Sequence, residues 1–419
     1  EDLNSIEDEL LHRTLLKNAI TVLKDTKQNI PLVNLENKKI AYVKLGDDIG
    51  NHFVNMLKNY TKVDVVRDNN LDGLIKKLKP YNQVIIGFHK SNLHPWKSYK
   101  FSQKELVWLQ EIAREKNVIL DIFASPYSLL QLKTFKNIEG LIVSYQNSKI
   151  AQELSAQLIF GVFEANGKLP VSIGNDFKEG SGLKTYSLSR FEYTIPEDVL
   201  LSSKKLAEID QYADTILKEK MAPGFQVLVA RKGKVVFNKS YGYHTAKNLR
   251  TVKNSDIYDL ASLTKILASL PLIMKAEEEE KIPLSASLKD ILPSYSNSNK
   301  ASVSVKEILS HYGKLKAWIP FYVGTQDSVT HKNLPIFYRK KQSNKFNIKV
   351  AENLYIRKTY KDSIYKYIKE ADQREREGYK YSDLGYYLFK EALENKYEKP
   401  LDKLVDQKFY KSLGADRMT

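Results

Sequence analysis

The sequence predicts an α/β protein: a mostly parallel sheet with helices on both faces, followed by an α+β unit. Three observations carry this expectation. Short, nearly continuous apolar runs alternate with helix-period segments from residue 39 to about 163, the pattern of strands buried on both faces. A loop-rich stretch at 174–200 then interrupts the alternation. After it come one hairpin signal and mainly helical text.

Residues 4–25 read as the first helix. Asn4 or Ser5 can cap it, acidic residues fill its first turn, and Leu10, Leu11, Leu15, Ile20 and Leu23 repeat near the helical period. Strands are expected at 39–45, 63–66, 83–88, 118–124 and 141–145, with helices at 49–60, 71–78, 103–116 and 148–163. Beyond the linker, 204–219 reads as a helix. The runs 225–230 and 235–238 form a hairpin with Gly233 in its turn. The remainder is expected to be helical, apart from a basic, aromatic loop region around 336–360.

The chain has 419 residues, enough for two or three domains, with apolar and charged fractions of 42% and 28%, ordinary for a globular protein. No run approaches the apolar length of a membrane span. Cysteine is absent, which excludes disulfides and thiol chemistry. The net charge of +16 is spread among interspersed acids and matches no nucleic-acid motif, so it reads as a lysine-rich surface. The opening Glu1-Asp-Leu, without an initiator Met, reads as a fragment or processed form.

Ser262-Leu-Thr-Lys265 is the most informative motif. A Ser and a Lys three residues apart at a helix start lie on one face, near the positive end of the helix dipole. A serine needs a neighbouring base to become a nucleophile, and a partly desolvated lysine can be one. Three other Ser-x-x-Lys matches begin at Ser181, Ser202 and Ser363. Only Ser262 leads an apolar stripe, formed by Leu263, Ile266, Leu267, Leu270, Ile273 and Met274. Tyr381-Ser-Asp383 precedes a second apolar helical run at 384–393, and a tyrosine beside the pair could shuttle protons. His311 is either a cleft residue or a histidine bonded to backbone. The spacing of His89 and His94 supports no metal site, and no cofactor motif is present. Gly46-Asp-Asp-Ile-Gly50 lacks the third glycine and the lysine of a phosphate loop.

The second unit resembles the serine beta-lactamase and penicillin-binding-protein-like hydrolases. The matching residues are Ala222-Pro-Gly224, Asp259-Leu-Ala-Ser-Leu-Thr-Lys265, Ile308-Leu-Ser-His311 and Tyr381-Ser-Asp383-Leu-Gly385. The resemblance implies Ser262 as acylated nucleophile, Lys265 as its activating partner and Tyr381 as proton shuttle. The Ser262 N–H would be one oxyanion donor. Asp383 and His311 would face substrate. Asp383 stands where the family usually has Asn, and Tyr312-Gly-Lys departs from the family's small residue followed by Gly. The family's closing strand, with its Lys-Thr-Gly-like triplet, does not occur before Thr419. The expectation is therefore a beta-lactamase-like domain at 201–419 lacking its C-terminal strands.

The first unit resembles the C-terminal α/β sandwich domain of glycoside hydrolase family 3. The matching text is Asn18–Asp25 with Ile30-Pro-Leu32, and Ala156–Gly161 with Gly167–Ile173. It would occupy 1–175, with a linker at 176–200. That family's catalytic barrel precedes the sandwich; here it would pack on residues 1–175 of a longer protein. The combined reading is a serine acyl-hydrolase (esterase, carboxypeptidase or beta-lactamase-like) within a bacterial cell-wall glycan enzyme, periplasmic or envelope-bound. Its substrate would be a small molecule or a peptidoglycan fragment, with no nucleic-acid partner and no cofactor. The alternative is a β-N-acetylhexosaminidase- or β-glucosidase-type enzyme that carries the second unit as a non-catalytic module.

Overall fold

The structure is a computed structural model describing residues 5–94, 96–415 and 418. It divides into two compact units, one ending at Ile257 and one beginning at Tyr258.

The first unit is built on a six-stranded sheet. Its elements are α1 (Ile6–Ala19), β1 (Thr21–Asp25), β2 (Ile40–Gly46), α2 (Asn51–Leu57), β3 (Val63–Val65), α3 (Leu71–Leu78), β4 (Gln83–His89), α4 (Gln103–Glu115), β5 (Val118–Phe123), β6 (Gly140–Val143) and α5 (Lys149–Ile159). The sheet order is β1-β6-β5-β4-β2-β3. Edge strand β1 runs antiparallel to β6, and all the other pairs are parallel.

Alternate residues of each strand feed opposite faces. Ile40, Tyr42, Ile85 and Ile119 pack with Phe53 and Leu57 of α2 and Leu154 and Leu158 of α5. Ala41, Val43, Val84, Ile86 and Leu120 pack with Leu74 and Leu78 of α3 and Leu109 and Ile112 of α4. A mostly parallel sheet covered on both faces is therefore present, as the apolar runs implied.

One expectation fails at the start. The first helix does not extend to residue 25. Ser5 caps α1 through a capping box with Asp8, and the helix ends at Ala19; Asn4 falls outside the described residues. Thr21-Val-Leu turns instead into strand β1, where a β-branched pair can complete the sheet edge. Leu11 and Leu15, counted toward the core, are 57% and 59% exposed, while Arg13 and Leu16 are buried.

The first unit also takes in the hairpin. Beyond the sheet lie β7 (Glu192–Tyr193), α6 (Ser203–Lys218), β8 (Gly224–Arg231) and β9 (Lys234–Gly242). The β8–β9 turn places Lys232 and Gly233 at positive φ, 52° and 75°, as a two-residue hairpin turn requires. The compact boundary lies later than the 176–200 linker because β7 pairs with β9. Glu192 also ties both ends together, contacting Lys17 at 3.0 Å and Lys234 at 3.4 Å, while Lys234 reaches Asp198 at 2.7 Å.

The second unit is mainly helical: α7 (Leu270–Glu278), α8 (Leu288–Ile291), α9 (Val305–Leu309), α10 (Tyr360–Glu370) and α11 (Leu384–Tyr397). Leu272, Ile273, Leu292, Ile308, Leu384, Leu388 and Phe389 form its core. The region expected as loop at 336–360 contains a small antiparallel sheet, β10 (Tyr338–Arg339), β11 (Ile348–Ala351) and β12 (Leu354–Ile356), in the order β10-β12-β11. Strands of two to four residues leave too little periodic text to be recognised. Among the described residues no helix is long and apolar enough to cross a membrane.

Asp121 lies fully buried at the centre of β5, accepting hydrogen bonds from Ser144 at 2.8 Å and from Ser155. Burial pushes its carboxyl up to about 7, against the lowering effect of those hydroxyls. A folded-state pKa above the unfolded value means the folded chain holds the extra proton between roughly pH 4 and 7, so stability falls as pH rises through that window. Asp121→Asn is expected to remove this component. The wild type should lose more stability than the variant between pH 4 and pH 7 in denaturant unfolding; parallel curves would contradict the assignment.

Candidate active site

The candidate site lies wholly in the second unit. Ser262 is exposed on a turn just before the helix, with Ala261 at a φ of 43°, a left-handed conformation that a Cβ resists. The turn is closed by bonds from Leu263 N–H to Leu260 O at 2.9 Å and from Thr264 N–H to Ala261 O at 3.1 Å, with Asp259 Oδ1 accepting from Ala261 N–H at 2.7 Å.

Residues Lys265–Ser269 then form a π-helical turn. The extra residue in that turn rotates everything after it by about one position. The expected apolar stripe is buried only in part, at Ile273. Leu263, Ile266, Leu267 and Met274 are 51%, 51%, 40% and 65% exposed, and the buried face is made by Ala268, Leu272, Ile273 and Ala276. The π turn leaves Lys265 beside Ser262: the amine donates to Ser262 Oγ at 2.9 Å.

The other residues arrive on one clamp. His311 takes the left-handed conformation, φ 62°, as the chain leaves α9. Its carbonyl accepts from Lys380 N–H at 3.0 Å and its Nδ1 accepts from Ser382 N–H at 3.2 Å. Ser382 Oγ donates to Lys316 O at 2.6 Å, and Asp383 N–H donates to Ala317 O at 2.8 Å. Segment 311–317 thus fixes segment 380–384 along its length. His311 is backbone-bonded, one of the two roles the sequence left open, and it also meets the site, with its ring 4.7 Å from that of Tyr381. Gly385 belongs to the same packing: a Cβ there would stand 2.5 Å from Ile308 Cγ2.

Asp383 Oδ1 lies 2.7 Å from the Lys265 amine. The amine is 5.4 Å and 5.7 Å from the ring centres of Tyr381 and Tyr386, within cation–π reach. Tyr381 also helps to raise the amine's pKa. Four residues picked from sequence therefore converge on Lys265: Ser262, Tyr381 and Asp383 directly, and His311 through Tyr381 and the Ser382 backbone.

The electrostatics differ from the expected lysine base. Burial alone would lower the Lys265 pKa, but Asp383 and Tyr381 outweigh it and hold the amine above its ordinary value. At neutral pH it is an ammonium, which donates to Ser262 Oγ and cannot take its proton. Burial, then the Lys265 charge, lowers His311, with Asp383 opposing. His311 therefore stays neutral at pH 7 and its Nδ1 can accept the Ser382 N–H. Among the described residues no group of three or more His, Asp or Glu side chains could hold a metal.

Two features went unread in the sequence. Tyr386, one helical turn after Asp383, completes the aromatic wall, and its i+3 spacing was a usable signal. Ser382, 3% exposed, is the pin of the clamp, and only the fold shows that.

A family model described as Beta-lactamase matches residues 209–419. The chain belongs to the beta-lactamase family. Among curated relatives, Protein flp of Staphylococcus aureus (strain MRSA252) is 27% identical over 136 residues, 32% of this chain and 26% of flp. Esterase EstB of Burkholderia gladioli is 26% identical over 116 residues, 27% of this chain and 30% of EstB. These matches span under a third of either relative's length. Among solved structures, the octameric penicillin-binding protein homologue from Pyrococcus abyssi aligns with a TM-score of 0.39 and 18% identity, over 50% of this chain and 43% of that one. A fungal multi-domain GH3 β-N-acetylglucosaminidase aligns with a TM-score of 0.34 and 23% identity, over 42% and 20%. Superpositions this partial carry no argument about either unit.

Asp383→Asn is expected to lower the Lys265 pKa, because the carboxylate that favours the charged amine is gone. NMR titration of the isotopically labelled Lys265 side chain should show its midpoint moving to lower pH. An unmoved midpoint would mean that Asp383 does not control the charge.

Proposed function

We propose that residues 201–419 act as a serine acyl-hydrolase, an esterase, carboxypeptidase or beta-lactamase-like module. The carrying observation is the 2.9 Å contact between the Lys265 amine and Ser262 Oγ, with the centre of the Tyr381 ring 5.4 Å from the same amine. Ser262 Oγ attacks the carbonyl carbon of an ester or amide. Its proton moves to the Tyr381 oxygen as that phenol gives its own to the departing alkoxide or amine. The Lys265 ammonium stabilises negative charge on the oxygens in transit, a role suited to its raised pKa. The N–H groups of Leu263, Thr264 and Lys265 are engaged with the carbonyls of residues 260–262, so the Ser262 N–H is the donor offered to the carbonyl oxygen. Water then attacks the acyl-Ser262 ester, and the proton path runs in reverse.

This reading extends to a larger enzyme: a protein of the bacterial cell envelope, with a glycoside hydrolase family 3 barrel packed on residues 1–175, acting on peptidoglycan-derived material. It is supported by the sequence resemblance of the first unit, its mostly parallel sheet with one antiparallel edge strand, and a charge of +16 suited to an anionic wall.

One observation favours a second reading, a non-catalytic module attached to a glycosidase. The Asp383–Lys265 ion pair keeps the amine charged, so it is no base for Ser262.

A fluorophosphonate probe separates the two. The acyl-hydrolase reading expects a mass adduct on the Ser262 peptide, absent in Ser262→Ala, and labelling slowed about 10²- to 10⁴-fold in Tyr381→Phe. A wild-type chain that stays unlabelled where a control serine hydrolase reacts establishes the non-catalytic reading.

A further inference from the structure

A cleft of about 530 Å³ opens beside the candidate site, within the same unit. Asp383 forms part of its wall, together with Trp318, Phe321, Tyr338, Ile356, Tyr360 and Tyr387. Asp383 is also the residue that holds Lys265, and Lys265 holds Ser262. The cleft therefore ends one side chain away from the proposed nucleophile's partner. Its volume lies in the range of pockets that enclose small organic ligands, roughly 300–1,000 Å³.

Its lining decides what it can take. Tyr338 Oη is engaged with Thr325 Oγ1 at 2.9 Å, and Tyr360 Oη donates to Phe321 O. With their polar ends tied, both rings turn apolar surface to the cleft. The rim carries two cations, Lys361 and Lys390, but both are paired with Glu394, at 3.5 Å and 2.6 Å. A carboxylate ligand would have to displace an existing partner. The β10–β12 sheet contributes Tyr338, Ile348, Val350 and Ile356 to the lining, which gives that sheet a purpose in the site.

We propose that this cleft receives the apolar group of the substrate, an aliphatic or aromatic acyl chain on an uncharged ester. The proposal rests on the acyl-hydrolase reading of Ser262 and names its substrate class. Chain length then becomes the discriminator. Each methylene buried in such a cleft multiplies binding by about fourfold.

The test uses 4-nitrophenyl acetate, butyrate and hexanoate with the wild-type chain and with Val350→Phe, which fills the cleft from a half-exposed position. We expect kcat/KM to rise at least about tenfold from acetate to hexanoate, and the hexanoate-to-acetate ratio to fall severalfold in Val350→Phe. Separately, 4-nitrophenyl hexanoate is titrated into Ser262→Ala, with Trp318 fluorescence as the signal. Saturable quenching is expected. Turnover that needs Ser262 but ignores chain length overturns the cleft assignment and leaves the serine chemistry standing. Saturable quenching without any turnover in the wild type supports the cleft's ligand class and overturns the serine chemistry. Absence of both quenching and chain-length preference overturns the cleft assignment.

Discussion

The ion pair between Lys265 and Asp383 is the contact on which the site's chemistry depends. It joins the turn after Ser262 to the residue that precedes α11, and it raises the pKa of the only amine touching the serine oxygen among the described contacts. Its energy is modest. Asp383 is 40% accessible, and an ion pair that open to water contributes on the order of 1 kcal/mol or less. The pair therefore does not hold the fold. Burial of Leu272, Ile273, Leu384, Leu388 and Phe389 does, at roughly 1.5–3 kcal/mol for each large apolar side chain. The core brings the helices together, and the pair then holds the amine's pKa above its ordinary value.

A second constraint is backbone geometry. Ala261 and His311 both sit in the left-handed region, one just before the serine and one where the chain leaves α9. Non-glycine residues hold such conformations only where the surroundings over-determine them. At Ala261 the Asp259 carboxylate and two turn bonds supply that surplus. At His311 the bonds to Lys380 and Ser382 do so. The π turn at Lys265–Ser269 is a third departure from regular helix beside the serine.

Much of this was legible in the residue pattern. The strands of the first unit fell close to their expected positions because strands buried on both faces read as unbroken apolar runs. The helix expected at 71–78 is α3, which the structure shows capped by Asn70 with Leu74 and Leu78 buried. Ser262, Lys265, Tyr381, Asp383 and His311, picked from spacing and resemblance, lie together in the structure. What escaped had short or borrowed signals. Thr21–Asp25 continued a helical period while its backbone was needed at a sheet edge. The β10–β12 sheet had strands too brief to show alternation. The stripe beginning at Leu263 was only partly right: Ile273 is buried, whereas Leu263, Ile266, Leu267 and Met274 are exposed.

The sequence by itself determined the two kinds of architecture and the identity of the side chains that meet, since hydrophobic period and residue chemistry are local properties. Only the tertiary structure decided that the lysine is held charged, that a backbone clamp fixes Tyr381 and Asp383, and that an aromatic cleft adjoins them. Those outcomes depend on distances between segments far apart in the chain, 71 residues for the His311–Ser382 bond, and charge, burial and shape arise only when such segments are brought into contact.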